Sequence, residues 1–223
     1  GMQFLEYSSK GKGILLSSIS DEKNSKVTVI GCGEVGKSSI HKSIQLGASV
    51  TAIDVNEDIL EDLKNKYGEN ITTLLSGTDE AINATRSSDL VIGSVLLPGR
   101  KPPIVITEED IKYMEKGTVV VDVAIDQGGC VEGVNPNTHS DPFEMRNGVI
   151  VSAIANLPGA VPRTSSVELS TNLQKFVDYL LVENWFEEYK NNESLRPSLQ
   201  IYNGLLLSEE VADSLSLTLS KLV

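Results

Sequence analysis

The chain has 223 residues, 40% of them apolar and 22% charged, which suits one core of ordinary size, or one domain with a satellite, and excludes a disordered segment. Nineteen Lys and Arg against 31 Asp and Glu leave a net charge of −12, a field that repels polyanions and anionic bilayers, so neither nucleic acid nor a membrane is an expected partner. The longest apolar stretches, such as Val119 to Val121 running on to Ile125, are broken by Asp122 and fall far short of the ~20 residues that cross a bilayer.

The opening Gly1-Met2-Gln3-Phe4-Leu5-Glu6 lacks the basic region and apolar block of a secretory signal, so the cytoplasm is the expected compartment. Cys32 and Cys130 stand far apart, without a C-x-x-C or Cys/His cluster, so no disulfide framework and no metal site is expected. Both read as buried small hydrophobes.

Along the chain, short β-rich runs alternate with helix-length segments, the pattern of a parallel sheet with crossover helices and hence of the α/β class. Val27–Ile30 reads as the first strand, followed by a Gly-rich turn and an amphipathic helix from Val35 to Leu46 that stops at Gly47. Ser49–Ile53 is the second strand, and Asn56 can cap a helix running to Tyr67 and ending at Gly68. Ile71–Leu75 and Leu90–Val95 are the third and fourth strands; the Pro- and Gly-marked exit Leu97–Pro103 can be neither helix nor central strand. Thr107 with Asp110 has the spacing of a helix start, Thr118–Val123 reads as the fifth strand and Val149–Ser152 as the sixth. Between these two, the polar Gln127–Gly148 stretch is expected outside the core. From Pro162 onward Leu169, Leu173, Phe176, Leu180 and Leu181 recur at helical spacing, and the remainder reads as helix with no further strand.

Gly31-Cys32-Gly33-Glu34-Val35-Gly36 follows a strand and opens a helix, the setting in which G-x-G-x-x-G receives a dinucleotide pyrophosphate. The first glycine allows the tight turn, the second close approach of the diphosphate, and the third close packing of helix on strand, while the N–H groups of the helix start face the phosphate charge. Asp54, at the end of the second strand, can accept hydrogen bonds from both adenosine ribose hydroxyls, which favours NAD over NADP because a 2′-phosphate would meet a like charge.

The same residues continued to Lys37-Ser38 also satisfy G-x-x-x-x-G-K-[ST], with Val119–Asp122 as the strand and acid that would hold magnesium, so a P-loop nucleotide triphosphatase is a competing reading. Against it stand the glycine at the third position and the acid ending the second strand. Lys37 is then an exposed helix residue or helps to neutralise the pyrophosphate. Asp126 lies just beyond the fifth strand, on the edge where open α/β sheets bind ligands; it orients a water or ammonium near the nicotinamide, interacts with the ribose on the nicotinamide side, or caps the Asp-x-Gly-Gly turn. The adjacent Ser, His and Asp of Thr138-His139-Ser140-Asp141-Pro142 cannot form a catalytic triad, and no G-x-S-x-G elbow is present, so hydrolase chemistry is disfavoured.

With these residues in view the chain resembles the alanine dehydrogenase family, which shares ancestry with the nicotinamide-binding subunit of proton-translocating transhydrogenase. The resemblance rests on Val29-Ile30-Gly31-x-Gly33-x-x-Gly36, on Leu46-Gly47-Ala48 through Asp54-x-Asn56, and on Asp89-Leu90-Val91-Ile92-Gly93-x-Val95-Leu96-x-Pro98-Gly99. It continues through Val121-Asp122-x-Ala124-Ile125-Asp126-Gln127-Gly128-Gly129-Cys130, Thr138–Pro142 and Asn156-x-Pro158-Gly159-Ala160-Val161-Pro162-Arg163-Thr164-Ser165. Glu34 and Lys37 are more charged than the family usually shows, and Leu157 stands where Met is common.

The resemblance implies a Rossmann-type, doubly wound, mainly parallel sheet with a C-terminal helical extension. It divides the chain into an NAD-binding domain over 1–163, with an N-terminal connecting helix, and a helical segment over 164–223 belonging to an incomplete substrate domain. NAD is the implied cofactor, and the implied contacts are Gly31, Gly33, Glu34, Val35, Gly36, Asp54, Ser76 on the adenine side, Val95, Leu96, Val123, Asp126, Asn156 and Leu157, with Asp126 as the residue nearest the chemistry. The implied reaction is oxidative deamination of L-alanine to pyruvate and ammonia. The family's Arg and Lys that hold the amino-acid carboxylate, and its acid/base His, belong to a first domain that nothing in this sequence replaces. The chain is therefore expected to bind NAD(H) but turn over alanine poorly unless that domain is supplied. It is also expected to form a homo-oligomer or associate with a separate substrate-domain chain. A non-catalytic NAD(H)-binding module is the alternative.

Overall fold

The computed structural model describes residues 1–17, 24–192 and 195–220, with the backbone alone at Lys175 and Pro197. The chain divides into two compact units, one comprising 1–97 and 102–155, the other 98–101 and 156–223.

The first unit is built on a seven-stranded sheet. Its elements run β1 (Lys26–Ile30), α1 (Glu34–Gln45), β2 (Ser49–Asp54), α2 (Glu57–Tyr67), β3 (Ile71–Leu75), α3 (Asp79–Arg86), β4 (Leu90–Gly93), α4 (Glu108–Tyr113), β5 (Val119–Asp122), β6 (Glu144–Arg146) and β7 (Val149–Ser152). The spatial order is β3-β2-β1-β4-β5-β7-β6, with every pairing parallel except the antiparallel β6–β7 edge. This is the parallel α/β sheet that the alternation predicted, doubly wound as the family resemblance implied. The chain leaves β1 toward β2 and β3, then returns to lay β4 on the other side of β1. The carboxyl ends of β1 and β4 thus flank the switch point where such sheets bind ligands.

Alternation along the buried strands sends Val27, Val29, Val119 and Val121 to one face, where they meet Ile40 of α1 and Leu60 and Leu63 of α2. Ile30, Val91 and Val120 go to the other, against Ala81 of α3 and Ile111 of α4. Local signals start the helices as expected. The Asn56 side chain accepts from the Asp58 and Ile59 N–H groups, and Thr107 and Asp110 form a reciprocal capping box.

Three expectations are corrected. Among the described residues 1–17, where a connecting helix was expected, Met2–Leu5 and Tyr7–Ser9 form two short 3-10 turns, with Leu5 fully buried in the sheet's core. The 127–148 stretch is not wholly outside the core: Val131 is buried alongside Cys130, whose burial was expected, and β6 pairs with β7. The tail is not all helix either. The second unit contains α5 (Pro162–Leu180), α6 (Trp185–Asn191), a two-residue-per-strand hairpin of β8 (Ile201–Tyr202) and β9 (Leu205–Leu206), and α7 (Glu209–Leu215). Asn203 and Gly204 both take positive φ, 48° and 79°, as a type I′ turn requires. The Phe186 ring stacks on Tyr202 with centroids 3.9 Å apart, tying α6 to the hairpin.

Candidate functional site

The Gly31–Gly36 turn connects the end of β1 to α1, and each of its glycines has a distinct geometric role. Gly31 adopts φ +90°, its N–H continues the ladder to the Ile53 carbonyl at 2.9 Å, and a Cβ there would lie 2.8 Å from the Ser94 and Val95 backbone. At Gly36 a Cβ would overlap the Gly31 carbonyl oxygen, so both of these glycines are demanded by the fold itself. Gly33 differs: its φ is −70°, open to any residue, and a Cβ there would meet nothing within 4 Å. Nothing in the protein requires glycine at 33. The empty space in front of it does, if a ligand lies there.

That space faces the start of α1. Gly33 is the N-cap and offers no side-chain cap to the first-turn N–H groups. The first intrahelical bond is donated by Lys37 N–H to the Gly33 carbonyl, at 2.8 Å, which leaves the N–H groups of Glu34, Val35 and Gly36 to serve an anion. Glu34 and Val35 are exposed in this turn. The helix already begins at Glu34, three residues before Lys37, whereas a phosphate loop keeps its backbone extended through the last glycine and opens its helix at the Lys.

Asp54 ends β2 beside the turn. One carboxylate oxygen accepts from the Cys32 N–H at 2.6 Å and the other from the Asn56 N–H at 2.9 Å. Each oxygen keeps a further lone pair, and the residue is only half-buried, so two ribose hydroxyls can still donate to it. Burial, followed by the Asp54 charge, pushes the Cys32 thiol up to about 12. It stays protonated and donates to the Ile53 carbonyl at 3.6 Å.

Ser76 follows β3, donates its N–H to the Asp54 carbonyl at 2.9 Å, and lines a mainly apolar cavity of about 350 Å³ together with Ile30, Ile53, Ala81 and Ile82. Arg86 and Asp110 form part of its wall. Their 2.8 Å ion pair is reinforced by the Arg86 guanidinium lying 4.5 Å from the Tyr113 ring centroid. A more polar cavity of about 470 Å³ opens near Gly47 and Ser49, at the amino-terminal edge of the sheet beside the C-terminal end of α1, where the helix dipole repels anions.

On the other side of the switch point, Val95 is half-buried and Leu96 exposed just after β4, and Val123 is half-buried just after β5. Asp126 sits exposed in a 3-10 turn, Ile125–Gln127. Its support is Asp122, 0% exposed, to which sequence reasoning gave no anchoring role. Asp122 accepts from the N–H groups of Ala124 (2.9 Å), Cys130 (2.8 Å) and Val131 (3.0 Å), and from the Cys130 thiol at 3.4 Å. Burial, then the Asp122 charge, raises the Cys130 thiol far above its usual range. A carboxylate sealed in this way is a loop anchor rather than a magnesium ligand.

The structure thus brings Gly31, Gly33, Glu34, Val35, Gly36, Asp54, Ser76, Val95, Leu96, Val123 and Asp126 to one edge of one unit. Asn156, with φ 53°, caps the 3-10 turn Leu157–Ala160 and belongs with Leu157 to the second unit. His41 shares a 3.2 Å hydrogen bond with the Tyr67 hydroxyl on the surface, and His139 lies in an exposed loop. Among the described residues no group of three or more His, Cys, Asp or Glu is arranged to hold a metal ion, and no helix is long and apolar enough to cross a membrane. Sequence reasoning missed two supports, Ser94 and Arg146. Arg146 bonds the Glu132 and Gly133 carbonyls and Glu108 at 2.6 to 2.7 Å; its signal was a lone Arg beside a Gly-marked turn.

Comparison with known proteins agrees with this fold. The profile of the family described as "Alanine dehydrogenase/PNT, C-terminal domain" matches residues 1–209. The alanine dehydrogenase of Bacillus subtilis (strain 168) is 42% identical over 216 residues, 96% of this chain and 57% of that protein. That of Staphylococcus haemolyticus (strain JCSC1435) is 39% identical over 218 residues, 97% of this chain and 58% of that protein. A solved L-alanine dehydrogenase superposes with a TM-score of 0.84 at 33% identity, covering 97% of this chain and 60% of that one. The chain therefore spans somewhat more than half the length of the relatives it matches.

Proposed function

The chain belongs to the alanine dehydrogenase/PNT C-terminal domain family, and from that membership we propose that it is the NAD(H)-binding portion of an alanine-dehydrogenase-like enzyme. The observation that carries the reading is the open, unstrained Gly33 position, set between the uncapped start of α1 and the Asp54 carboxylate. Those residues fit a dinucleotide: the α1 N–H groups for the diphosphate, Asp54 for the adenosine ribose, and the cavity beside Ser76 for the adenine ring. Val95, Leu96, Val123 and Asp126 line the opposite, nicotinamide side, where Asp126 orients a water or ammonium. Asn156 and Leu157 are the further contacts that the family resemblance implies.

When bound, NAD supplies the hydride acceptor for oxidation of L-alanine to its imine, which water converts to pyruvate and ammonia. The part of that work assigned to this chain is to hold and orient the cofactor. Turnover by the chain alone is expected to be weak or absent, because the resemblance assigns the substrate-binding Arg and Lys and the acid/base His to a domain outside this sequence. The apolar residues Leu169, Leu173, Phe176 and Leu180, exposed along α5, support association with a second copy or with a separately made substrate-domain chain. A cytoplasmic setting accords with Cys32 and Cys130 being free thiols.

Titration of the purified chain with NADH, NADPH and ATP–magnesium tests the reading. NADH binding much tighter than NADPH is the expected result, and ATP–magnesium binding without an NADH signal would overturn it. Alanine-dependent NAD reduction, measured with and without an added first domain, separates a dehydrogenase half from a non-catalytic nucleotide-binding module.

A further inference from the structure

Every turn that carries a diphosphate must keep its peptide planes from rotating, and one plane in this turn is held from both ends. The carbonyl of Gly31 accepts a hydrogen bond from the Ser94 hydroxyl at 2.7 Å. The N–H of the same peptide group, that of Cys32, donates to the Asp54 carboxylate at 2.6 Å. Ser94 follows β4, is 8% exposed, and is aligned by its own N–H, which donates to the Ile30 carbonyl at 2.8 Å. Its hydroxyl also fits the notch left by Gly36, where an added Cβ would lie 3.1 Å from the hydroxyl oxygen.

We propose that Ser94 is a positioning residue of the dinucleotide site, which locks the Gly31–Cys32 peptide against Asp54 and so fixes the Gly33 position and the start of α1 in the orientation that receives a diphosphate. The inference rests on the dinucleotide reading above and extends it. The carboxylate that accepts the ribose hydroxyls and the turn that accepts the diphosphate become one mechanical unit, with Ser94 as the fixed post. Gly31 has positive φ and no side chain to limit its rotation. Without the hydroxyl, its carbonyl must find another donor or swing outward, taking the Cys32 N–H away from Asp54. Ser94 touches no nucleotide in this scheme; it acts through the peptide.

The test is a double-mutant cycle on the whole chain, read by NADH titration, together with hydrogen exchange of the nucleotide-free protein. Ser94→Ala is expected to weaken NADH binding about tenfold, the size of one buried hydrogen bond. In an Asp54→Ala background, where the peptide has already lost its second anchor, the same change should cost less than about twofold. Independently of binding, Ser94→Ala should raise the exchange rate of the Cys32 amide at least about tenfold while leaving the Val29 amide in the strand core unchanged. A residue that merely supported the fold would alter the melting temperature without that selective exchange and without coupling to Asp54. Unchanged NADH affinity in Ser94→Ala, an equal loss in both backgrounds, or an unchanged Cys32 amide would each overturn the inference while leaving the dinucleotide reading standing. Absence of NADH binding by the unmodified chain would overturn that reading and this inference with it.

Discussion

Replacing Gly33 and Gly36 by alanine, one at a time, should separate ligand binding from folding. At Gly36 the new methyl overlaps the Gly31 carbonyl; neither group is the end of a flexible side chain, so α1 must shift away from β1. Overpacking of this kind costs about 1–3 kcal/mol, which for a domain of this size lowers Tm by roughly 2–12 °C. At Gly33 the methyl enters open space from an allowed backbone conformation. The entropy gained by restricting the unfolded chain, about 0.4–1 kcal/mol, is offset by the poorer N-cap rank of alanine, so Tm should move by no more than about 2 °C. The same methyl stands where the diphosphate must approach, and loss of one charge-assisted hydrogen bond is worth about 1.5–3 kcal/mol, a 10- to 100-fold rise in the NADH Kd. Differential scanning calorimetry without nucleotide and fluorescence titration with NADH measure the two effects separately. If Gly33→Ala binds NADH as the unmodified chain does, the open space is not the diphosphate seat. If Gly36→Ala melts at the unmodified temperature, the steric argument for the third glycine fails.

Asp54→Ala should raise the NADH Kd by at least about 100-fold through loss of two charge-assisted acceptors and shrink the preference over NADPH, since the repulsion of a 2′-phosphate goes with the charge; parallel titrations with both nucleotides read this. Burial opposes ionisation of Asp110, but the Thr107 hydroxyl and N–H and the Arg86 guanidinium outweigh it and hold the carboxyl below its ordinary value of 3.8. A depressed folded value means stability fully present above that ordinary value and lost as pH falls through the folded one. Asp110→Asn should therefore lower stability at pH 7 and flatten its decline below about pH 4, as urea titrations across pH would show. Asp122→Asn sets an amide NH2 against backbone donors that now face a carboxylate, and should cost on the order of 3 kcal/mol with early exchange of the Cys130 and Val131 amides.

The features legible in the sequence are those whose partners lie within a few residues. The Gly31–Gly36 turn, the Asn56 cap and the Thr107–Asp110 box are all written in local spacing, and each occurs where the pattern put it. What escaped depends on distant partners. Polar composition argued that 127–148 lies outside the core, yet Val131 is drawn inside beside the buried Cys130 because Asp122 captures both N–H groups. β6 has only three residues, too few for a period, and exists because β7 pairs with it. The hairpin at Asn203-Gly204 did carry a local signal, a dipeptide suited to a type I′ turn, but the apolar spacing around it was read as helix. Ser94 fell inside the expected strand Leu90–Val95 with no signal of its own, and its bond to the Gly31 carbonyl forms only when β4 is laid beside β1.

The anchoring of Asp122 bears on how the shelf beside Asp126, the nicotinamide side of the proposed site, greets whatever arrives there. With Ala124 tethered at one end of the turn and Cys130 and Val131 at the other, the segment bearing Asp126 is a short closed span stapled to the sheet, not a flap. A visitor to that shelf encounters a surface whose conformational entropy was surrendered at folding, so docking there incurs little ordering penalty. The enthalpy of engagement should then vary little with any loosening agent too mild to melt β5 itself.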